Sequence, residues 1–205
     1  MEKMDEIVDF WFGDIEDETP LPMDSEYIKL WFGSDKKKDD EIKKRFKNDL
    51  IEAQKGNYIS WGQTIHGRLA LIILLDQIPR HTYRDGEQAF ENDIEALKYS
   101  LRCIKDASER KLSRLERAFV YMPFMHSENI EVQGLSVKYY TQLVDEADDN
   151  EDPKLDIFKK LLETAKNHYE MMERFNRIPY RNAALKRKAT SDERLYLDTH
   201  KLIFT

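Results

Sequence analysis

Apolar residues recur every three or four positions along almost the whole chain, the spacing of one face of an α-helix. Phe90, Ile94, Leu97, Leu101 and Ile104 form one such stripe, expected to face a core. Leu155, Phe158, Leu162, Ala165, Tyr169 and Met172 form another over five turns. Ile42, Phe46, Leu50 and Ala53 mark a more polar, exposed helix. Residues 69–75 are apolar without interruption and end in Asp76, which predicts a helix buried on all sides at the centre of the fold. No stretch alternates with period two in β-branched residues, so no strands are expected. Helices are predicted over 3–12, 25–32, 37–55, 61–78, 86–105, 113–124, 128–146, 153–177 and 191–203, in a single domain spanning 1–205.

Start and stop signals agree with this layout. Ser60-Trp61-Gly62-Gln63, Ser113-Arg114-Leu115-Glu116 and Thr190-Ser191-Asp192-Glu193 have the capping-box form, in which the first side chain and the acid or amide three residues on satisfy free amides. Asp152-Pro153 puts a cap before a proline at the first helical position. Gly13, Gly33 and Gly56 are stop signals, and 145–152 reads as an acidic loop between helices. Two local echoes suggest helix pairs: Phe10-Trp11-Phe12-Gly13 returns as Leu30-Trp31-Phe32-Gly33, and Ile78-Pro79-Arg80 as Ile178-Pro179-Tyr180-Arg181.

Composition narrows the class. A hydrophobic fraction of 40% can fill a core, and the 7 glycines and 6 prolines leave little material for the turns of an all-β fold. The net charge of −7 argues against a nucleic-acid partner; the lysines at 36–38 and around 186–188 read as solvated helix ends. One cysteine, Cys103, permits neither an internal disulfide nor a metal cluster, and suits a reducing compartment. The acidic start lacks the apolar core of a signal peptide, and the longest apolar run is too short for a bilayer. No membrane partner and a cytoplasmic location are therefore expected. No zinc, dinucleotide, phosphate-loop or dithiol motif is present, so neither a metal nor a cofactor is expected. His66 reads as a packed polar residue, and Trp11, Trp31 and Trp61 as core anchors.

Candidate chemistry gathers in three proline-containing segments, 76–84, 121–128 and 174–182. Proline frees the carbonyl four residues back, and nearby Arg, His and Asn side chains can satisfy such groups. Asp76 is costly to bury alone and should meet an arginine such as Arg80 or Arg181. Ser127 and Glu128 could cap the next helix. All of this could be a polar clasp between helix ends. Alternatively, Arg68, Arg80, Arg84, Arg177 and Arg181 exceed what Asp76 and Glu128 can neutralise, which points to a pocket for an anion. An acid–base site would use His126 with Glu128 or Asp76.

The ordered motifs Gly67-Arg68-Leu69-Ala70-Leu71, Asp76-Gln77-Ile78-Pro79-Arg80, Tyr121-Met122-Pro123-Phe124-Met125-His126-Ser127-Glu128 and Arg174-Phe175-Asn176-Arg177-Ile178-Pro179-Tyr180-Arg181-Asn182 resemble a widespread, largely bacterial family of unknown function. Phe10-Trp11-Phe12-Gly13 and Thr190-Ser191-Asp192-Glu193 fit the same pattern, so nearly the whole chain takes part. The resemblance implies an all-α, tetratricopeptide-like array of antiparallel helix pairs packed around the central apolar helix. It assigns no reaction. The family often has asparagine where this chain has His81, glutamate at Met125 and histidine at Tyr180, and these departures favour binding or structure over catalysis. The leading expectation is a binding protein that holds an anionic small molecule or a peptide carboxylate. Its site would comprise Arg68, Asp76, Arg80, Arg84, His126, Glu128, Arg177, Arg181 and Asn182. A hydrolase-type enzyme and a purely structural clasp are the alternatives. Arginines that are both fully paired and buried would overturn the binding and the enzyme readings alike, and an enzyme additionally requires His126 within hydrogen-bond reach of an acid at an open cleft.

Overall fold

The apolar run 69–75 is at most 2% exposed at every residue, and the other elements are arranged around it. The computed structural model describes residues 2–200. Its α-helices are α1 (Lys3–Phe12), α2 (Glu26–Phe32), α3 (Lys36–Gln54), α4 (Ile65–Ile72), α5 (Ile78–Thr82), α6 (Asp93–Lys105), α7 (Arg114–His126), α8 (Ile130–Asp149), α9 (Leu155–Phe175) and α10 (Ser191–Thr199). Among the described residues there is no strand, and no helix is long and apolar enough to cross a membrane. The end of the predicted 191–203 helix lies outside the described residues.

The helix expected over 61–78 is not one regular rod. Residues Ile59–Gln63 form a 3-10 turn, and Thr64, not Ser60, caps α4 by accepting from the Gly67 amide. Gly67 is required there: a Cβ would lie 2.1 Å from the Trp61 carbonyl oxygen. After α4 the chain widens into a π turn, Ile73–Gln77, and then runs on as α5 through Pro79. Proline supplies no amide and crowds the preceding turn. The wider turn accommodates that, and the Arg80 guanidinium donates to the Asp76 carbonyl. The helical chain therefore runs on through the proline, where sequence alone ends it. Pro123 likewise sits inside α7, which continues to His126.

Around this rod, α4 packs on α1, α6 and α7, while the π turn and α5 pack on α3. From α6 onward the helices stack in chain order, α6 on α7, α7 on α8 and α8 on α9. Short connections make such neighbours antiparallel. Helix pairing in chain order thus describes the second half, whereas the first half wraps the central rod.

Several local expectations are corrected. The stripe of α6 is split: Ile94 is 73% and Leu101 42% exposed, whereas Leu97 and Ile104 are half-buried against the core, and the fully buried face is Ala96, Tyr99, Ser100 and Cys103. The mostly small residues of that second face let α6 lie close against α4 and α7. Pro153 is not the first residue of α9, which begins at Leu155; buried Asp152 accepts from the Lys154 amide at 2.7 Å and pairs with the Arg114 and Lys154 side chains. Residues 145–149 belong to α8, so only the end of that acidic stretch is a loop. The α8 cap is Asn129, not Ser127. His66 is exposed. Trp61 is half-buried and stacks on Tyr58 at 4.0 Å, whereas Trp11 and Trp31 are core residues. The boxes at Ser113 and Thr190 form in full, and Gly13 closes α1 at φ 55°.

Burial pushes the Cys103 thiol up to about 11, with Arg68 opposing only in part. A thiol reagent at pH 8 is expected to leave Cys103 unmodified in the folded protein and to label it fully in urea; labelling at similar rates in both states would contradict this packing.

Candidate functional site

The π turn points its one acid into the protein. Asp76 is 0% exposed, and its carboxylate accepts from the Gln77 amide and faces His126 Nδ1 at 2.8 and 3.0 Å. Arg80, one turn on, lies 3.4 Å from the same carboxylate. Burial alone would raise the Asp76 carboxyl, but the Arg80 charge and the hydrogen bonds from His126 and Gln77 hold it below its ordinary value. Arg80 also donates to both oxygens of Asp93 at 3.0 and 3.2 Å. Arg181 comes from the far end of the chain to pair with Asp93 at 3.0 Å and to donate to the His126 carbonyl at 2.8 Å. Both guanidinium groups lie over the Phe90 ring. Two arginines and two aspartates balance, so no net charge is left in this cluster.

Beside the cluster is an open cavity of about 540 Å³. Its walls include Trp31, Phe32, Met122, Met125 and Leu161, with Arg80, Arg84 and Arg181 at the polar side. Three histidines also line it: His81, His126 and His168. Each has Nδ1 engaged behind the wall. His81 Nδ1 meets Asp39 at 2.8 Å, His126 Nδ1 meets Asp76, and His168 Nδ1 donates to the Met125 carbonyl at 3.0 Å. Burial lowers all three imidazoles below the ordinary histidine value, His168 to about 3, and outweighs the neighbouring carboxylates at His81 and His126. All three are therefore neutral near pH 7. A neutral ring that donates from Nδ1 keeps a lone pair on Nε2. Among the described residues no three His, Cys, Asp or Glu side chains come together as a metal site.

The model of one family, described as bacterial protein of unknown function (DUF924), matches residues 7–201. The chain belongs to the DUF924 family. It is also similar to a solved structure of a protein of unknown function, ATU0120 from Agrobacterium tumefaciens. The two share 27% identity at a TM-score of 0.76, covering 96% of this chain and 97% of that one. No curated protein matches the sequence.

In this DUF924 chain the three proline-containing segments do converge, though not every candidate residue joins them. Arg80, Arg84, His126 and Arg181 line the cavity, with Asp76 directly behind His126. Arg84 is paired with Asp39 through two bonds of 2.6 and 2.7 Å. Glu128 lines a neighbouring groove, where it accepts from the Ile178 amide at 2.7 Å and from Arg187 at 2.7 and 2.9 Å. It does not orient His126. Arg68 is elsewhere, joining Gly62, Asp106 and Ser108 at 2.9, 2.6 and 3.0 Å. Arg177 ties Glu193 of α10 to the end of α9, and Asn182 is buried outside both spaces. All five candidate arginines have a carboxylate partner, but only Arg68 and Arg181 are buried, so the paired-and-buried condition is met at two of the five. Sequence reasoning missed Asp93, Asp39 and His168. The one available signal was His168, a histidine on the α9 face that also carries Ala165.

The histidines give the cavity a pH signature. A folded pKa below the unfolded value means that the folded state binds fewer protons, so stability is complete above about pH 6.5 and declines as pH falls below it. For His168 the decline runs down to about pH 3. Each such histidine contributes a slope of up to about 1.4 kcal/mol per pH unit in its window. Urea denaturation between pH 4 and 7 is expected to show this loss, with a shallower slope in His168→Gln. Identical slopes would contradict a neutral buried His168.

Proposed function

We propose that the histidine-lined cavity is a catalytic site in which His126, held by Asp76, takes a proton from water or from a substrate O–H or N–H group. One observation carries this: a fully buried carboxylate is spent on orienting a neutral imidazole at the edge of an open cavity. A protein gains little stability from burying such a pair. As a device for holding Nε2 unprotonated and aimed, it matches what general-base catalysis requires. The setting on a π turn fits as well, because these turns are frequent at functional sites.

For a carboxylic ester or amide the step balances. Water gives its proton to His126 Nε2 as its oxygen attacks the carbonyl carbon, and the carbonyl electrons move to oxygen. His126 then returns the proton to the leaving oxygen or nitrogen as the bond to carbon breaks. Arg68 and Arg177, paired outside the cavity, act instead as clasps.

The test is turnover of p-nitrophenyl esters of short acids by the full chain. His126→Gln is expected to lower the rate by about 10²-fold or more, and His66→Gln, on the exposed surface, to leave it unchanged. Equal rates in wild type and His126→Gln would overturn the proposal.

A further inference from the structure

The exposed edge of the α6 stripe has a place to act. Phe90, Ile94 and Leu97, joined by Leu185, line a second groove of about 580 Å³. This groove and the histidine-lined cavity share three residues, Phe90, His126 and Arg181. His126 therefore stands where the two spaces meet. Ile94 and Leu97 are large aliphatic side chains that sequence periodicity assigns to a core, yet Ile94 is among the most exposed hydrophobics of the chain. No segment among the described residues covers Ile94.

The polar groups of both spaces narrow what could cover it. Arg80, Arg84 and Arg181 are matched by Asp93 and Asp39, and Glu128 and Glu87 by Arg187 and Lys186. Glu91, which also lines the groove, has no ion-pair partner among the described residues. The uncompensated charge is thus negative, and the three imidazoles offer acceptors. A carboxylate or phosphate head finds no spare cation here. A neutral or cationic head with an N–H or O–H group finds both acceptors and a compatible charge.

We propose that the second groove holds the alkyl part of the substrate, and that the substrate is an alkyl-chain compound with a neutral or cationic hydrogen-bond-donating head placed against His126. This rests on His126 as the proton acceptor. It adds the substrate class: the reacting group sits between a polar cavity and an apolar groove.

The test is calorimetric titration of the full chain with 1-alkanols and 1-alkylamines from butyl to octyl, and with the matching alkanoates. For the alcohols and amines, affinity is expected to rise by about fourfold per added methylene. Ile94→Asn, at an exposed position that folding does not need, is expected to weaken octyl binding by about tenfold. His126→Gln should retain the increment per methylene while losing ester turnover, so the two proposals fail separately. Alkanoates binding as tightly as the alcohols, or a chain-length increment unchanged in Ile94→Asn, would overturn this one.

Discussion

Asp76→Ala is expected to lower the free energy of unfolding by about 3–5 kcal/mol, measured by urea denaturation at pH 7. The side chain is 0% exposed and carries the bonds from Gln77 and His126 and the ion pair with Arg80. Removing it strands the His126 Nδ1–H and leaves Arg80 with only Asp93 as a charge partner. Asp76→Asn keeps the volume and one acceptor, so its loss should be smaller, about 1–3 kcal/mol. The acid limb of the stability curve changes as well. The folded carboxyl lies below its ordinary value, so the folded state binds this proton less readily than the unfolded chain. Its contribution is complete above about pH 4 and is lost as pH falls through the depressed folded value. Asp76→Ala should lack that part of the acid limb. A loss below about 1 kcal/mol would mean that the pair is not buried as described.

Lys154→Met is expected to be comparably damaging, by about 3–5 kcal/mol, for an unrelated reason. Lys154 is 0% exposed, and its ammonium donates to the carbonyls of Glu16, Asp17 and Thr19 and lies 3.3 Å from Asp152. The loop between α1 and α2 is therefore fastened from inside by one cation. Methionine fills much of the volume but leaves three carbonyls without that donor, and Asp152 with Arg114 as its remaining charge partner. Limited proteolysis should cut within residues 14–24 of the variant long before the wild type. Lys154 lines neither the cavity nor the groove, so ester turnover per folded molecule should stay unchanged. Loss of stability without earlier cleavage of the loop would contradict the fastening role.

Elements whose signals are local could be read from the sequence. Ser113 and Thr190 announce their helices through caps, Gly13 stops α1, and residues 69–75 are apolar on every side because they are surrounded. Phe90 to Ile104 show where this fails. The aliphatic spacing is helical, but Ala96, Ser100 and Cys103 are an equally regular face, and close approach of α4 and α7 selects the smaller one. Periodicity establishes a helix without choosing between two plausible faces. Asp152 fails similarly, because a cap and a buried ion-pair partner look alike until Arg114 and Lys154 arrive from other elements. At the site, the three proline-containing segments were legible as a cluster, since proline and ionisable groups stand together in sequence. Their partners were not. Tertiary packing brings His168 to the cavity and Asp93 and Asp39 to its arginines, which turns a surplus of arginine into balanced pairs around neutral imidazoles.

The most direct test of the account is the protonation state of His126 itself. Long-range ¹H–¹⁵N spectra of the histidine rings, assigned by the signals lost in His126→Gln, separate the two neutral tautomers and follow each ring through pH. The account requires His126 to be neutral and protonated at Nδ1, with Nε2 unprotonated and a midpoint below the ordinary histidine value. A His126 ring protonated at Nε2, or one that titrates at or above about pH 6.5, would contradict it.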